Sequence, residues 1–313
     1  MHKRDWSSRT INVYIGKYKM KNIIIFGGTG FLGSWIVKNF VKRDYKVTIF
    51  DLKIEIELLK KLIGKDIEKI KFLKGDVTNY EEVFEATINM DHVVNLAGLM
   101  TPDCSKNPSL GAQVNVLGSI NVFEATKARG IKFILYASSA GVFGEKDQYL
   151  PYPETHYGAF KLAVEGIARA YYNEANISSI GIRPFVIYGP GREVGGTAAV
   201  TLACKAAKQN YDYNLNFSGK AGFVFVQDVA DLVEMSVNKA PVGASTININ
   251  GITANVCDFV SKIINIVPEA KLTINGDELS VVEEILGNHP SDIFESFEYT
   301  SLNAGISNTI DFY

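Results

Sequence analysis

Residues 22–33 have the sequence NIIIFGGTGFLG, and this stretch decides the fold. A short apolar run that ends in glycines is typical of a strand buried on both faces of a sheet. The glycines satisfy G-x-G-x-x-G at Gly28, Gly30 and Gly33, and also G-x-x-G-x-x-G beginning at Gly27. Glycines let backbone N–H groups approach a pyrophosphate at the positive end of a helix. The strand, this turn and the helix that follows predict a dinucleotide site.

The next predicted strand, 46–50, is followed directly by Asp51, which completes the dinucleotide pattern. A carboxylate at this position accepts hydrogen bonds from the hydroxyls of an adenosine ribose and repels the additional 2′-phosphate of NADP. No arginine follows Asp51 closely, although Lys53 is near. The sequence therefore favours NAD as the cofactor.

Apolar runs alternate with segments of helical spacing from residue 22 to residue 182. Strands are predicted at 22–26, 46–50, 69–73, 91–96, 132–136 and 179–182. Helices are predicted at 30–42, 54–63, 80–87, 110–128 and 157–173. Strands that alternate with helices in this way indicate an α/β fold with a Rossmann-like, doubly wound parallel sheet.

Beyond Arg183 the alternation weakens, which indicates a smaller C-terminal substrate-binding lobe. A strand at 223–226 and a helix at 228–237 are expected to return to the main sheet. The predicted organisation is a dinucleotide-binding Rossmann domain at 20–186, joined by 223–259, and a substrate lobe at 187–222 and 260–313. The lobe is expected to close over the carboxyl ends of the strands, where open α/β sheets bind their ligands.

Composition excludes several classes of protein. The 313 residues carry a formal net charge of −2 and are 47% hydrophobic, which supplies a full core but no basic surface for nucleic acid. No apolar run approaches the roughly 18 residues of a membrane helix, and the three cysteines and four histidines lack metal-ligand spacing. Residues 1–19 are basic and lack the apolar core of a signal peptide. We interpret them as an extension outside the fold of a cytoplasmic protein, with an organellar transit peptide as the alternative.

A second group of residues carries acid–base chemistry. Tyr157 and Lys161 are four positions apart at the start of a predicted helix, so both side chains project from one face. With 15 tyrosines in the chain such a pair is uninformative alone, but Ser139 follows a predicted strand shortly upstream. A phenol has a pKa of about 10, and a neighbouring ammonium group favours its phenolate. The phenolate can take a proton from an alcohol while hydride leaves the carbon for NAD.

Together these motifs resemble those of the extended short-chain dehydrogenase/reductases, the NAD-dependent epimerase/dehydratase family. The resemblance extends over about 21–313 and keeps the family's order of motifs. Besides the glycine loop, Asp51 and the segment around Ser139, the matching motifs are Gly75-Asp76-Val77, Asn95-Leu96-Ala97-Gly98, Asn115-Val116-Leu117-Gly118, Tyr157-Gly158-Ala159-Phe160-Lys161, Arg183-Pro184, Tyr188-Gly189-Pro190-Gly191 and Phe225-Val226-Gln227-Asp228-Val229-Ala230. The set is specific for the family but not for a substrate.

The resemblance implies a role for each matching residue. Ser139 would polarise the substrate oxygen, Tyr157 would act as acid and base, and Lys161 would bind the nicotinamide ribose and lower the tyrosine pKa. Asn115 would brace the active-site loop, unless it is simply a buried, hydrogen-bonded helix residue. The implied cofactor contacts are Gly27, Gly30, Phe31, Leu32 and Gly33 in the loop, Asp51, Asp76 and Val77 at the adenosine, Leu96, Ala97 and Gly98 after the fourth strand, and Asn115, Tyr157, Lys161 and Pro184.

Several positions depart from the family pattern. Phe143 replaces a tyrosine that is usual there, which removes a hydroxyl near the site. The two residues after Ser139 are not the Asp-Glu pair of the family's dehydratases, so elimination of water is not expected. His156 is either a substrate contact or the residue that starts the helix, and Cys104 is expected to be a buried thiol.

Three functions remain open at this level. The first is an NAD-dependent dehydrogenase acting on a secondary alcohol of a sugar, sugar acid or small hydroxy compound. The alternative is a nucleotide-sugar 4-epimerase that keeps its NAD, and the third is a catalytically silent NAD-binding protein, against which Ser139, Tyr157 and Lys161 argue. The last arginine of the chain is Arg192, and arginines commonly grip the phosphates of nucleotides. Their absence from 193–313 favours a substrate without a nucleotide.

The resemblance also implies a C2 homodimer formed by the helices at 110–128 and 157–173. Such dimers bury apolar side chains that project beyond the face packed on the sheet. Candidates on the two helices are Val114, Leu117, Ile120, Val122, Leu162, Val164, Ile167 and Tyr171.

Overall fold

The computed structural model describes residues 20–145, 147–279 and 282–313, so the predicted extension at 1–19 lies outside the described residues. Its strands are β1 (Asn22–Phe26), β2 (Lys46–Asp51), β3 (Lys71–Lys74), β4 (His92–Asn95), β5 (Phe133–Ala137), β6 (Ser178–Pro184), β7 (Val186–Tyr188), β8 (Tyr213–Leu215), β9 (Lys220–Phe225), β10 (Ala244–Ile249), β11 (Ile252–Asn255) and β12 (Leu272–Ile274). Its α-helices are α1 (Phe31–Lys42), α2 (Glu57–Ile63), α3 (Tyr80–Ala86), α4 (Thr101–Lys106), α5 (Pro108–Ala112), α6 (Gly118–Ala128), α7 (His156–Ala175), α8 (Ala199–Gln209), α9 (Val226–Lys239), α10 (Val256–Ile266) and α11 (Leu302–Phe312). None of the helices in the described ranges is long and apolar enough to cross a membrane.

A seven-stranded sheet in the order β3-β2-β1-β4-β5-β6-β10 forms the centre of the molecule, and each neighbouring pair is parallel. The side chains of β1 alternate between two hydrophobic cores, with Ile23 and Ile25 in one and Ile24 and Phe26 in the other. All four are fully buried. Each contributes about 1.5–3 kcal/mol to folding. The predicted Rossmann-like α/β fold is confirmed.

The prediction that the strand at 223–226 returns to the main sheet is wrong. This strand, β9, pairs in parallel with β7 and antiparallel with β11 in a separate three-stranded sheet. β10 takes the seventh position of the main sheet, beside β6. The chain then turns at Gly251, where φ is +69° and a Cβ atom would collide with the carbonyl oxygen of Phe223. After this close turn the chain forms β11, which pairs with β9, and helix α9 packs against α1 and against β5 of the main sheet.

Smaller elements depart from prediction at their ends. The second helix, predicted from residue 54, begins at Glu57. Strand β3, predicted from residue 69, begins at Lys71 because the 3-10 helix Gly64–Lys69 precedes it. The predicted helix at 110–128 begins at Pro108 and contains a π-helical turn, Gln113–Leu117. A parallel pair of β8 and β12, with α8, α10 and α11, completes the C-terminal part. The division into lobes at 187, 222 and 260 stays a prediction.

Most of the apolar residues predicted for a dimer surface pack inside the chain itself. Val122 and Val164 belong to the core beneath the sheet. Val114, Ile167 and Tyr171 pack against the same core. Leu117, in contrast, is 53% exposed. Because the other residues pack within the chain, the apolar surface available to a second copy is smaller than the sequence indicates.

A buried ion pair ties helix α7 to the sheet. The guanidinium of Arg183, on β6, donates to both oxygens of Glu165, on α7, at 2.7 and 2.6 Å. The hydroxyl of Ser138, at the end of β5, donates to the same carboxylate at 2.6 Å. A third N–H group of Arg183 donates to Asn248 of β10 at 3.2 Å. The carboxylate of Glu165 therefore joins α7 to β6 and to the end of β5, and the guanidinium of Arg183 extends the network to β10.

We predict that Glu165→Gln lowers the free energy of unfolding by about 3–5 kcal/mol, because it leaves the Arg183 charge buried without a partner. The matched control is Glu57→Gln, which removes an exposed pair with Lys60; such a pair contributes less than about 1 kcal/mol. Urea unfolding followed by circular dichroism measures both. Equal losses for the two variants would contradict the structural role given to Glu165.

Candidate active site

The glycine loop between β1 and α1 brings chain segments together that side chains would hold apart. Gly27 has a φ of +76°, and a Cβ atom there would lie 3.0 Å from the backbone nitrogen of Ala97. A Cβ atom on Gly33 would collide with the carbonyl oxygen of Gly27 and lie 2.7 Å from the Cα atom of Gly28. Among the described residues no side chain caps the first turn of α1 at Gly30. Its N–H groups are therefore available to an anion such as a pyrophosphate.

Asp51 ends β2 beside this loop. Its Oδ2 accepts hydrogen bonds from the backbone N–H of Thr29 at 3.1 Å and from the Thr29 hydroxyl at 2.6 Å. No described residue donates to its Oδ1, which leaves that oxygen for a hydroxyl of a ligand. Sequence reasoning missed Thr29, although its place inside the glycine motif was a usable signal. The threonine orients the carboxylate toward the loop.

A cavity of about 610 Å³ extends from Asp51 to the end of β4. Asp76 and Val77 form one wall. The Asp76 carboxylate accepts from the backbone N–H of Thr78 at 2.9 Å, and the Val77 carbonyl accepts from Asn121 at 2.9 Å. The opposite wall includes Leu96, Ala97 and Gly98. The size and shape suit an adenosine group.

A second cavity of about 620 Å³ shares Gly27, Gly30, Leu96 and Gly98 with the first. Its other predicted members are Phe31, Leu32, Gly33, Ser139, Tyr157, Lys161 and Pro184. The two cavities thus form a continuous groove across the carboxyl ends of the strands. Of the predicted cofactor residues, Asn115 alone does not line it.

Asn115 lies behind the wall of the groove, in the π-helical turn Gln113–Leu117. Its Nδ2 donates to the carbonyl oxygens of Leu99 at 3.2 Å and Gly111 at 3.1 Å. Its Oδ1 is buried without a partner among the described residues and faces the Cα atom of Gly98. Single π turns are frequent at functional sites. The side chain holds the segment after β4 in place, as the predicted brace would, and its direct contact with the cofactor stays a prediction.

Ser139, Tyr157 and Lys161 come together where β5 ends and α7 begins. The hydroxyl of Thr155 caps α7 by accepting from Gly158 at 3.0 Å, so Tyr157 stands in the first turn. The Ser139 hydroxyl accepts from the backbone N–H of Gly141 at 3.0 Å and is hydrogen-bonded to Tyr157. Lys161 Nζ donates to the carbonyl oxygen of Ala137 at 2.8 Å and lies 5.6 Å from the centre of the Tyr157 ring.

Burial shifts the pKa values of both Tyr157 and Lys161. It raises the pKa of Tyr157, and the hydrogen bond with Ser139 and the positive charge of Arg192 act in the opposite direction. Burial lowers the pKa of Lys161 to about 8. A bound positive nicotinamide would favour the phenolate further. The arrangement can therefore hold a tyrosine that exchanges its proton with a substrate.

A third cavity, of about 410 Å³, opens from Ser139 and Tyr157 away from the glycine loop. Much of its described wall is apolar, including Met100, Phe143 and Phe185. Its charged lining residues in the described part of the chain are Arg192 and Glu154. The cavity has the size of a site for a small substrate. Sequence reasoning singled out Arg192 only as the last arginine of the chain and did not place it beside Ser139 and Tyr157.

Two residues singled out near the site, His156 and Cys104, lie apart from the reacting hydroxyls, and the predicted burial of the Cys104 thiol is confirmed. His156 is exposed at the start of α7, with its ring 6.2 Å from that of Phe160, and does not line the described cavities. Cys104 is fully buried, and burial raises the pKa of its thiol. No group of three or more potential metal ligands occurs among residues 20–145, 147–279 and 282–313.

Comparison with known proteins agrees with this geometry. The model of the "NAD dependent epimerase/dehydratase family" matches residues 23–250. The decarboxylating sterol-4-alpha-carboxylate 3-dehydrogenase of Candida albicans is 29% identical over 233 residues, which are 70% of this chain and 65% of that protein. The chain spans between 53% and 65% of the length of three such curated relatives.

Solved structures share the fold. A UDP-N-acetylglucosamine 4-epimerase from Methanobrevibacter ruminantium, in complex with UDP-N-acetylmuramic acid, superposes with a TM-score of 0.80 at 22% identity, over 94% of this chain and 99% of that chain. A UDP-glucose 4-epimerase from Thermus thermophilus, in complex with NAD, superposes with a TM-score of 0.76 at 20% identity, over 93% and 98%. Because the family model matches residues 23–250, which are most of this chain, the chain belongs to the NAD-dependent epimerase/dehydratase family of oxidoreductases.

Proposed function

We propose that this protein is an NAD-dependent dehydrogenase that oxidises a secondary alcohol of a sugar, sugar acid or small hydroxy compound and releases the product. The observation that carries this proposal is that Ser139 and Tyr157 line both the cofactor groove and the third cavity. An alcohol held at these hydroxyls lies between cofactor and substrate pocket. The Candida albicans relative is itself named a 3-dehydrogenase, which supports the same type of reaction.

In this proposal the chain's own residues move the proton. NAD, when bound, supplies the acceptor for the hydride. Ser139 holds the alcohol oxygen, and the phenolate of Tyr157 takes the alcohol proton. Lys161 donates one of its three N–H groups to the carbonyl oxygen of Ala137, which leaves the other two for the hydroxyls of the nicotinamide ribose. Its charge also favours the phenolate.

The groove has the features that NAD needs. The close approach of Gly27 and Gly33 leaves a cradle that a Cβ atom would fill, and the uncapped first turn of α1 faces it. We propose that this cradle holds the pyrophosphate, that Asp51 binds the adenosine ribose through its Oδ1, and that Asp76 and Val77 border the adenine.

The alternative is a nucleotide-sugar 4-epimerase, and the structural neighbours that bind UDP compounds favour it. Two contacts argue against it. Lys205 and Lys220, which could replace arginines as phosphate ligands, are paired with Glu193 at 2.8 Å and Glu283 at 2.9 Å. Neither these lysines nor Lys208 line the three described cavities. A pyrophosphate of the substrate would therefore meet Arg192 as the single guanidinium among the described residues that line these cavities, where such sites commonly use several.

The test of the proposal is NADH formation. We expect the purified protein with NAD to reduce it stoichiometrically with a panel of polyols, sugars and hydroxy acids, and Tyr157→Phe to lower turnover by about 10²–10⁴ while it still binds NAD. The control is Tyr172→Phe on the same helix. Inversion of UDP-glucose without net NADH, or micromolar binding of UDP in a calorimeter, would support the epimerase instead.

We predict that Asp51 makes the enzyme prefer NAD over NADP by at least about tenfold, because a carboxylate repels the 2′-phosphate. Asp51→Asn should reduce this preference. Asp76→Asn serves as the control, since its carboxylate lines the same cavity at the proposed adenine end. Fluorescence titration with both nucleotides measures the ratio. An unchanged ratio in Asp51→Asn would remove the proposed ribose contact.

We also propose that two copies associate through the exposed parts of α7, of α6 and of the π-helical turn that precedes α6, centred on Leu117. Since Val122 and Val164 are buried within the chain, only a narrow apolar strip remains for this contact. Light scattering at micromolar concentration should show a dimer, and Leu117→Glu should weaken it without loss of helical signal. A monomer in the unchanged protein would refute the proposal.

A further inference from the structure

Arg192 follows β7 in a loop that the rest of the chain holds in place. The indole N–H of Trp35, on α1, donates to the carbonyl oxygen of Pro190 at 3.0 Å. The backbone N–H of Gly191 donates to the hydroxyl of Tyr313 at 3.1 Å. Gly191 has a φ of +90°, a conformation that favours glycine. The backbone next to the arginine is therefore held by α1 on one side and by the last residue of the chain on the other.

The guanidinium group of Arg192 is only partly engaged. Its Nη2 donates to the hydroxyl of Thr197 at 3.0 Å, and its carbon lies 5.7 Å from the centre of the Phe31 ring. Its Nε is buried and has no partner within the described ranges. The neighbouring carboxylate, Glu193, is paired with Lys205 at 2.8 Å. A buried donor without an acceptor costs free energy, so this group is poised to receive an anion.

Arg192 faces the place where the alcohol is to be oxidised. It lines the third cavity together with Ser139 and Tyr157, and it also lines the nicotinamide end of the groove. Burial raises the pKa of Tyr157, and the positive charge of Arg192 acts in the opposite direction. Much of the surrounding wall is apolar, so a charge pair formed here is weakly screened by water.

We infer that the substrate is a hydroxy acid whose carboxylate pairs with Arg192 while its alcohol lies at Ser139 and Tyr157. This inference rests on the proposed dehydrogenase function and adds the charge of the substrate to it. A planar guanidinium matches the two oxygens of a carboxylate. A phosphate is the weaker candidate, because Glu154 lines the same cavity and would repel a dianion.

The reaction of such a substrate is balanced without a further reactant. The C–H bond of the carbinol carbon breaks and its electron pair leaves with the hydride for NAD. The O–H proton goes to Tyr157, and the carbon–oxygen single bond becomes the carbonyl of a keto acid. The carboxylate is unchanged, so Arg192 positions the substrate and takes no part in the transfer.

The probes are 2-hydroxybutanoate, 3-hydroxybutanoate and the primary amides of both, offered with NAD to the full chain. The amides have the shape of the acids without the charge. We expect kcat/KM for one of the acids to exceed that for its amide by about 10², and Arg192→Gln to reduce this ratio to about one. Because each ratio is taken within one variant, changes in the Tyr157 pKa cancel.

Three further variants separate binding from folding. Arg192→Lys keeps the charge but loses the planar fork, so its ratio should be intermediate. Thr197→Val frees the guanidinium from its orienting hydrogen bond and should lower the ratio several-fold, which serves if Arg192→Gln fails to fold. Arg169→Gln, an exposed arginine on α7, should leave the ratio unchanged.

If none of the probes is oxidised, calorimetry of the enzyme–NADH complex with 2-oxobutanoate, acetoacetate and their amides gives the same comparison. The inference is overturned if the enzyme oxidises or binds an acid and its amide equally well, or if it binds neither. It is also overturned if the acid-to-amide ratio is unchanged in Arg192→Gln. Oxidation of neutral alcohols alone keeps the dehydrogenase and removes the hydroxy acid. UDP binding that disappears in Arg192→Gln assigns the arginine to a phosphate and removes both proposals.

Discussion

The buried ion pair between Glu165 and Arg183 fixes helix α7 against the sheet, and the geometry of the active site depends on it. Glu165 lies one helical turn beyond Lys161 and two beyond Tyr157, so the pair also sets the rotation of the helix that carries both. The same carboxylate accepts from Ser138, the neighbour of Ser139. One carboxylate therefore ties α7, which carries Tyr157 and Lys161, to β6 and to the end of β5, which Ser139 follows.

The half of the site that binds the cofactor could be predicted from the sequence. A glycine loop between a buried strand and a helix, followed by Asp51 at the end of the next strand, is a local pattern with one structural solution. The Tyr157 and Lys161 pair became informative only beside Ser139, because a parallel sheet brings the ends of its strands to one edge. Each of these motifs is short in sequence, and the parallel sheet places them next to one another at the carboxyl ends of its strands.

The rest depends on contacts that no local pattern encodes. The buried residues of β9 show that it is a central strand, but not that β7 and β11 are its partners. Asn115 was recognised, yet a π turn places its amide behind the groove. Arg192 follows a run of glycine and proline with no period of its own, and its place in the cavity arises from Trp35 and Tyr313, more than a hundred positions away on either side.

The hydrogen bond between Gly191 and Tyr313 has a consequence for the order in which the site is completed. The glycine loop, Asp51, Ser139, Tyr157 and Lys161 all precede residue 185, whereas one of the two hydrogen bonds that hold the loop of Arg192 needs Tyr313, which follows the last helix. Domains fold progressively as the chain is synthesised. A chain that still lacks α11 has the residues proposed to bind a dinucleotide but only the Trp35 bond of the two that hold the arginine loop, so cofactor binding can precede substrate selection during folding.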